Sequence, residues 1–143
     1  MITVEGPFDI STDSISIPLY HAGVAAGNPA YVSQFFEETI DIARHAVNNP
    51  KTSFCVRVNG QSMIKAGIDD GDLLIVDKSL HADNNQIVLA VINGEFTVKR
   101  LLKKGNRVFL LPENPDFDPI EITEFMDFRI SGVVTGVIKK MIP

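Results

Sequence analysis

Cutting a peptide bond takes a nucleophile, a base and hydrogen-bond donors for the developing oxyanion. The 143-residue chain offers few sets of residues that could supply all three. Its histidines, His21, His45 and His81, have no HExxH or H-x-E spacing, and the lone Cys55 excludes a Cys-x-x-Cys pair. No metal site is expected on these grounds. Asp69-Asp70-Gly71-Asp72 has the start of a calcium loop but lacks the rest of the frame and its closing Glu, so a tight turn is expected there. No Gly-x-Gly-x-x-Gly or phosphate loop occurs, and no cofactor is expected. A Ser/His/Asp triad is formally available, although no spacing singles out one set. The alternative is a serine with a lysine base. Such a lysine must be neutral, which requires burial in an apolar setting.

Ser62 and Lys99 are candidates for that pair. Ser62 lies in Asn59-Gly60-Gln61-Ser62-Met63-Ile64, just after a run that reads as a strand. Gly60 lets the backbone turn tightly and present free N–H groups to an oxyanion. Serines at such junctions also commonly cap or bond locally. Lys99 lies in Phe96-Thr97-Val98-Lys99-Arg100-Leu101, and strand alternation puts it on the face of Thr97 and Leu101. Facing inward it would be desolvated; facing outward it is a surface lysine on an amphipathic strand. Residue types alone leave both readings open.

The elements that must position these residues are mostly strands. Ser53–Val58, Leu73–Asp77, Gln86–Ile92, Glu95–Leu101, Arg107–Leu111 and Arg129–Ile138 are rich in β formers. Asn93-Gly94, between two such runs, is a strong hairpin signal, because a type I′ turn needs positive φ at both central residues. Gly105-Asn106 marks a second turn, and Gly132 and Gly136 mark bends or bulges in the last strand. Residues 1–30 carry six glycines and prolines at Gly6, Pro7, Pro18, Gly23, Gly27 and Pro29, and read as an extended arm with a short strand at Ile15–Leu19. Tyr31, Phe35, Ile42 and Val47 could share a helical face, with a helix somewhere in 39–48 ended by Asn48-Asn49-Pro50. The fold class expected is mostly β: a compact antiparallel fold with an N-terminal arm and one short helix. Residues 1–30 form the arm and 31–143 the β domain.

Composition narrows the function classes. Hydrophobic residues make up 45% and charged residues 22%, enough for a globular core. The apolar runs are far shorter than the roughly 20 residues a membrane helix needs, and the N-terminus lacks the basic start and apolar stretch of a secretory signal. No membrane association is expected. Cys55 reads as a buried small hydrophobe, and its lack of an internal partner fits a reducing, cytoplasmic setting. The net charge of −5 argues against direct DNA binding. The one dense basic run, Lys99-Arg100-Leu101-Leu102-Lys103-Lys104, reads as a strand end with solvated charges.

Three blocks together resemble a known family. Gly60-Gln61-Ser62-Met63, then Gly67-Ile68-Asp69-Asp70-Gly71-Asp72-Leu73-Leu74-Ile75-Val76-Asp77, then Gly94-Glu95-Phe96-Thr97-Val98-Lys99-Arg100-Leu101 are similar, in order and spacing, to the peptidase domain of the UmuD/LexA family of self-cleaving serine–lysine peptidases. The resemblance covers roughly residues 18 to 140. It implies the curved β fold shared with bacterial signal peptidases. It implies Ser62 as nucleophile, Lys99 as general base, and the backbone N–H groups of Gln61 and Ser62 as the oxyanion hole. Family members cut their own chain at an Ala-Gly or Cys-Gly bond. Ala26-Gly27 is preferred here over Ala22-Gly23, because Gly27-Asn28-Pro29 resembles the Gly-x-Pro that follows the family's scissile bond. Only 26 residues precede that bond, too few for the DNA-binding domain of LexA, so the UmuD branch is expected. The stretch Tyr31–Asp41 departs from the UmuD pattern. A UmuD-type protein implies the SOS response to DNA damage: cleavage stimulated by a RecA–single-stranded DNA filament, then a shortened homodimer that serves a UmuC-type polymerase in translesion synthesis and mutagenesis. The rival expectations are a Ser/Lys peptidase acting on another protein and a non-catalytic dimeric binding module.

Overall fold

The computed structural model describes residues 3–9, 15–20 and 37–142. The chain divides into two compact units, Ser11–Asn48 on one hand and Met1–Ile10 with Asn49–Pro143 on the other. In chain order the elements are β1 (Thr3–Asp9), β2 (Ser16–Tyr20), β3 (Glu37–Asp41), α1 (Ile42–Ala46), β4 (Ser53–Asn59), β5 (Leu73–Asp77), β6 (Ile87–Ile92), β7 (Glu95–Lys104), β8 (Arg107–Leu111), β9 (Ile120–Glu121) and β10 (Phe128–Ile138). A 3-10 turn covers Ile64–Ala66. The mostly β, antiparallel expectation is borne out.

In the smaller unit, β2 pairs antiparallel with β3, Ile17 opposite Ile40. The Ile42 N–H donates to Ile15 O at 3.0 Å and extends the ribbon. Asp41 then caps α1, its carboxylate accepting from the Arg44 N–H. The helix lasts five residues. The chain runs on into Asn48-Asn49-Pro50, and the residue before a proline is disfavoured in the helical region. Tyr31 and Phe35, expected on the same helical face, lie outside the described residues, as does the boundary expected at residue 30.

The larger unit holds one eight-stranded sheet in the order β1-β4-β5-β10-β6-β7-β8-β9. Each neighbouring pair is antiparallel. Thr3–Asp9, read from sequence as part of an arm, adds a strand beside β4. At the β6–β7 hairpin, Asn93 (φ +50°) and Gly94 (φ +84°) both take the positive values a type I′ turn demands. The last strand, β10, occupies the centre and pairs with both β5 and β6. Its register shifts between Ile130 and Gly132 on the β6 side and between Val134 and Gly136 on the β5 side. These are the two glycines at which bends were expected.

The β6–β7 hairpin is buried on both faces. Leu89 and its partner Val98 join one apolar cluster with Val56, Val58, Met63, Ile68, Leu74 and Val76. Val88, Ala90 and Leu101 point the other way, into a second cluster with Ala82, Leu110 and Val133. Burying each large aliphatic chain is worth about 1.5–3 kcal/mol. This two-sided burial overrides the amphipathic alternation read from the sequence. It also decides the fate of Lys99, which pairs with Val88 and shares its face.

Candidate active site

Ser62 sits in the loop that carries the chain from β4 back to β5. The ends of this loop are tied together by Gly71 N–H to Val58 O (2.7 Å) and Val58 N–H to Asp72 O (2.9 Å). At its start the Gly60 N–H donates to Asp70 Oδ1 at 2.7 Å, with Gly60 at φ +111°. Buried Met63 and Ile68 anchor the middle, and Met63 O accepts from the N–H groups of Ala66 and Ile68. At the end, Asp72 Oδ2 accepts from the Asp69 N–H, and Lys139 Nζ bridges the carboxylates of Asp69 and Asp72. The Asp-Asp-Gly-Asp segment therefore behaves as a braced turn. Among the described residues, no group of three or more His, Cys, Asp or Glu is placed to hold a metal ion.

A second segment lies along the serine loop. The Glu113 N–H donates to Ser62 O at 2.8 Å, and the Lys65 N–H donates to Glu113 O at 2.9 Å. The Asn114 Nδ2 donates to Gln61 O at 2.9 Å, while its Oδ1 accepts from the Asp116 N–H. Arg100 holds this segment to β7 by pairing with the Glu113 carboxylate, and donates to Asn85 O at 2.6 Å. Sequence reading missed Glu113 and Asn114. The signal available was a polar pair between Pro112 and Pro115 directly after a strand, with no sign of what it would meet.

Lys99 and Ser62 are both buried, at 2% and 0% exposure. The Lys99 Nζ donates to Ser62 Oγ at 3.1 Å, to Thr97 Oγ1 at 2.8 Å and to Val98 O at 3.1 Å. All three partners are uncharged, so no counter-charge offsets the cost of taking the ammonium out of water. Burial accordingly pulls the Lys99 pKa from its ordinary 10.5 down to about 8. The same geometry orients the neutral amine. A neutral amine has two N–H donors and one lone pair, and Val98 O can only accept. With the N–H groups on Val98 O and Thr97 Oγ1, the lone pair is left for the Ser62 hydroxyl. The arrangement can therefore move a proton from Ser62 to Lys99. Thr97, read from sequence only as a residue on the same face, supplies part of this orientation.

The rest of the basic run divides up. Arg100 is paired with Glu113, Lys103 Nζ donates to Ala82 O, and Lys104 is exposed. No histidine bonds to Ser62 among the described residues; His45 and His81 are exposed, and His21 lies outside that set. Among the described residues, the backbone N–H groups of Gln61, Ser62 and Met63 donate to no protein acceptor. Ala26 and Gly27, like Ala22 and Gly23, lie outside the described residues. Cys55 is a buried free thiol, and burial pushes its pKa up. No helix among the described residues is long and apolar enough to cross a membrane.

Residues 18–135 match the model of the Peptidase S24-like family. The chain belongs to that family. It is 41% identical over 134 residues to a LexA repressor of Pseudomonas chlororaphis, a match covering 93% of this chain and 65% of that protein. It is 46% identical over 118 residues to a LexA repressor of Ectopseudomonas mendocina, covering 82% of this chain and 57% of that protein. A LexA repressor of Edwardsiella ictaluri is 45% identical over 128 residues, covering 89% and 62%. The chain thus spans about three fifths of the length of the curated relatives it matches.

Proposed function

We propose that the protein is a serine endopeptidase that cuts its own chain, with Ser62 as nucleophile and Lys99 as general base. The observation that carries this reading is the 3.1 Å contact between Ser62 Oγ and a buried lysine amine that has no carboxylate partner. A lysine built for structure alone would gain nothing from such a setting.

The reaction is acyl transfer followed by hydrolysis. Neutral Lys99 takes the Ser62 proton as Oγ bonds to the Ala26 carbonyl carbon. The carbonyl π pair moves onto oxygen, where the N–H groups of Gln61 and Ser62 receive it. Collapse of this adduct breaks the Ala26–Gly27 C–N bond, and protonated Lys99 gives its proton to the Gly27 amine. Lys99 then deprotonates a water that releases the acyl group and regenerates Ser62. Small residues at the cut suit a tight cleft.

The finer reading is a UmuD-type protein of the SOS response. A RecA–single-stranded DNA filament stimulates the cut, and the shortened homodimer serves a UmuC-type translesion polymerase in the cytoplasm. The three motif blocks around Ser62 and Lys99 are common to the UmuD and LexA branches and support the self-cleaving peptidase. A second reading, a repressor of the LexA kind, is favoured by the name the matched relatives carry. Incubation with RecA, single-stranded DNA and a nucleotide analogue, followed by mass spectrometry, tests the activity. A fragment beginning at Gly27 is expected. Cleavage that survives both Ser62→Ala and Lys99→Ala would sink the reading. Capture of a UmuC-type polymerase by the cut form, without sequence-specific DNA binding by the intact form, separates the two branches.

A further inference from the structure

We propose that Asn114 is a positioning residue that aims the Ser62 N–H at the oxyanion; this rests on the reading of Ser62 as nucleophile. In a trans peptide the C=O and the following N–H point in opposite directions. The peptide unit that ends in the Ser62 N–H begins with the Gln61 carbonyl, and that carbonyl is held by the Asn114 side-chain amide at 2.9 Å. Fixing the carbonyl on the Asn114 side turns the Ser62 N–H away from it. The next peptide unit is held in the same way, because Ser62 O accepts from the Glu113 N–H at 2.8 Å. Both carbonyls are occupied by one segment, so the two N–H groups behind them are directed away from that segment. They donate to no protein acceptor among the described residues.

Asn114 is itself constrained. It is 7% exposed, and its Oδ1 accepts from the Asp116 N–H at 3.0 Å, which fixes the amide so that Nδ2 faces Gln61. Its neighbour Glu113 is tied to Arg100, one residue from Lys99 on β7. The strand that carries the amine therefore also anchors the segment that orients the donor. A preorganised donor stabilises charge only if it is aimed before the reaction begins, and losing one such donor typically costs about a hundredfold or more in rate. Asn114 touches no reacting atom, so its effect is on aim and leaves the proton transfer alone.

The test uses the full chain with Asn114→Ala and the isosteric Asn114→Asp, which keeps the Asp116 contact but loses the donor to Gln61. Self-cleavage is followed from pH 7 to 9, and folding is checked by circular dichroism. We expect folded variants that cut about a hundredfold more slowly at every pH, with the midpoint of the rate profile unmoved. In a Ser62→Cys background, alkylation of the thiol by iodoacetamide, which forms no oxyanion, should proceed at the parent rate in Asn114→Asp. Cleavage within about threefold of the parent, a shifted midpoint, slowed alkylation, or loss of the fold in Asn114→Asp would each overturn the proposal. Failure of the underlying reading shows up separately, as cleavage that persists in Ser62→Ala with Asn114 intact.

Discussion

The Nζ of Lys99 and the Oγ of Ser62, 37 positions apart in sequence, lie 3.1 Å from each other in a site that excludes water from both. The pair is joined across the sheet: Ser62 follows β4, while Lys99 is on β7, with β5, β10 and β6 between those strands. Its chemistry and its cost have the same origin, a cation with no counter-charge.

Self-cleavage should rise with pH. Only neutral Lys99 can accept the Ser62 proton, and its pKa lies at about 8. The rate should climb roughly tenfold per pH unit below that value and level off above it. Band intensities after timed incubation between pH 6 and 10 measure this. A rate that falls on going from neutral to mildly alkaline pH, with the fold intact, would remove lysine as the base.

Lys99→Met should be inactive and more stable at neutral pH. The folded-state pKa is depressed relative to the unfolded chain, so at pH 7 the native state carries the full penalty of a buried ammonium. The penalty is relieved as pH rises from about 8 toward 10.5. Its size is on the order of 3 kcal/mol, and methionine of similar length avoids it while leaving the Thr97 and Ser62 hydroxyls less satisfied. Urea unfolding at pH 7 should show a net gain of about 1–2 kcal/mol. The difference from the parent should shrink at pH 10.

Asp77 presents the opposite case. Its carboxylate is buried, and burial pushes its pKa up. Hydrogen bonds from Asn49, Ser79 and Thr52 outweigh that and bring it to about 2. The unfolded value is higher, so this contribution is present above about pH 4 and lost as pH falls toward 2. Asp77→Ala should destabilise by about 2–3 kcal/mol and flatten the acid limb of the stability profile. Thermal melts from pH 2 to 7 provide the check.

Gly132→Ala should weaken the sheet without touching Ser62 or Lys99. A Cβ there would meet Val76 Cγ1 at 2.6 Å and Asp77 O at 3.0 Å, inside the stretch where β10 shifts register. The backbone contact cannot rotate away, so a loss of about 2–4 kcal/mol is expected. Denaturant midpoints of the variant and the parent chain provide the check.

The strands were legible in the sequence because β-branched runs and the Asn93-Gly94 turn are local signals. β5 and β8 fall where they were expected, and the Gly132 and Gly136 irregularities announced themselves as glycines within a strand. Lys99 was legible only as one of two possibilities. Alternation assigns a face but not its burial, and on this face Val88 and Leu101 pack with residues from other parts of the chain, such as Leu110 and Val133. Asn114 was invisible for a related reason, since its contact with Gln61 spans 53 positions and depends on one side-chain amide meeting a backbone carbonyl. Pro50 marked the end of α1, but nothing in residue types revealed that Thr3–Asp9 would pair with β4.

The central place of β10 has a consequence for the chain while it is being made. The strands that lead to Ser62 and the strand that holds Lys99 belong to opposite halves of the sheet, and among the described strands only β10 pairs with both halves. It also follows every other described strand along the chain. At about 5–20 residues per second, every earlier described element leaves the ribosome before the piece that joins the Ser62 side to the Lys99 side. On the proposed reading, a growing chain is thus inert toward itself until β10 has been made, and one that stops before β10 stays so.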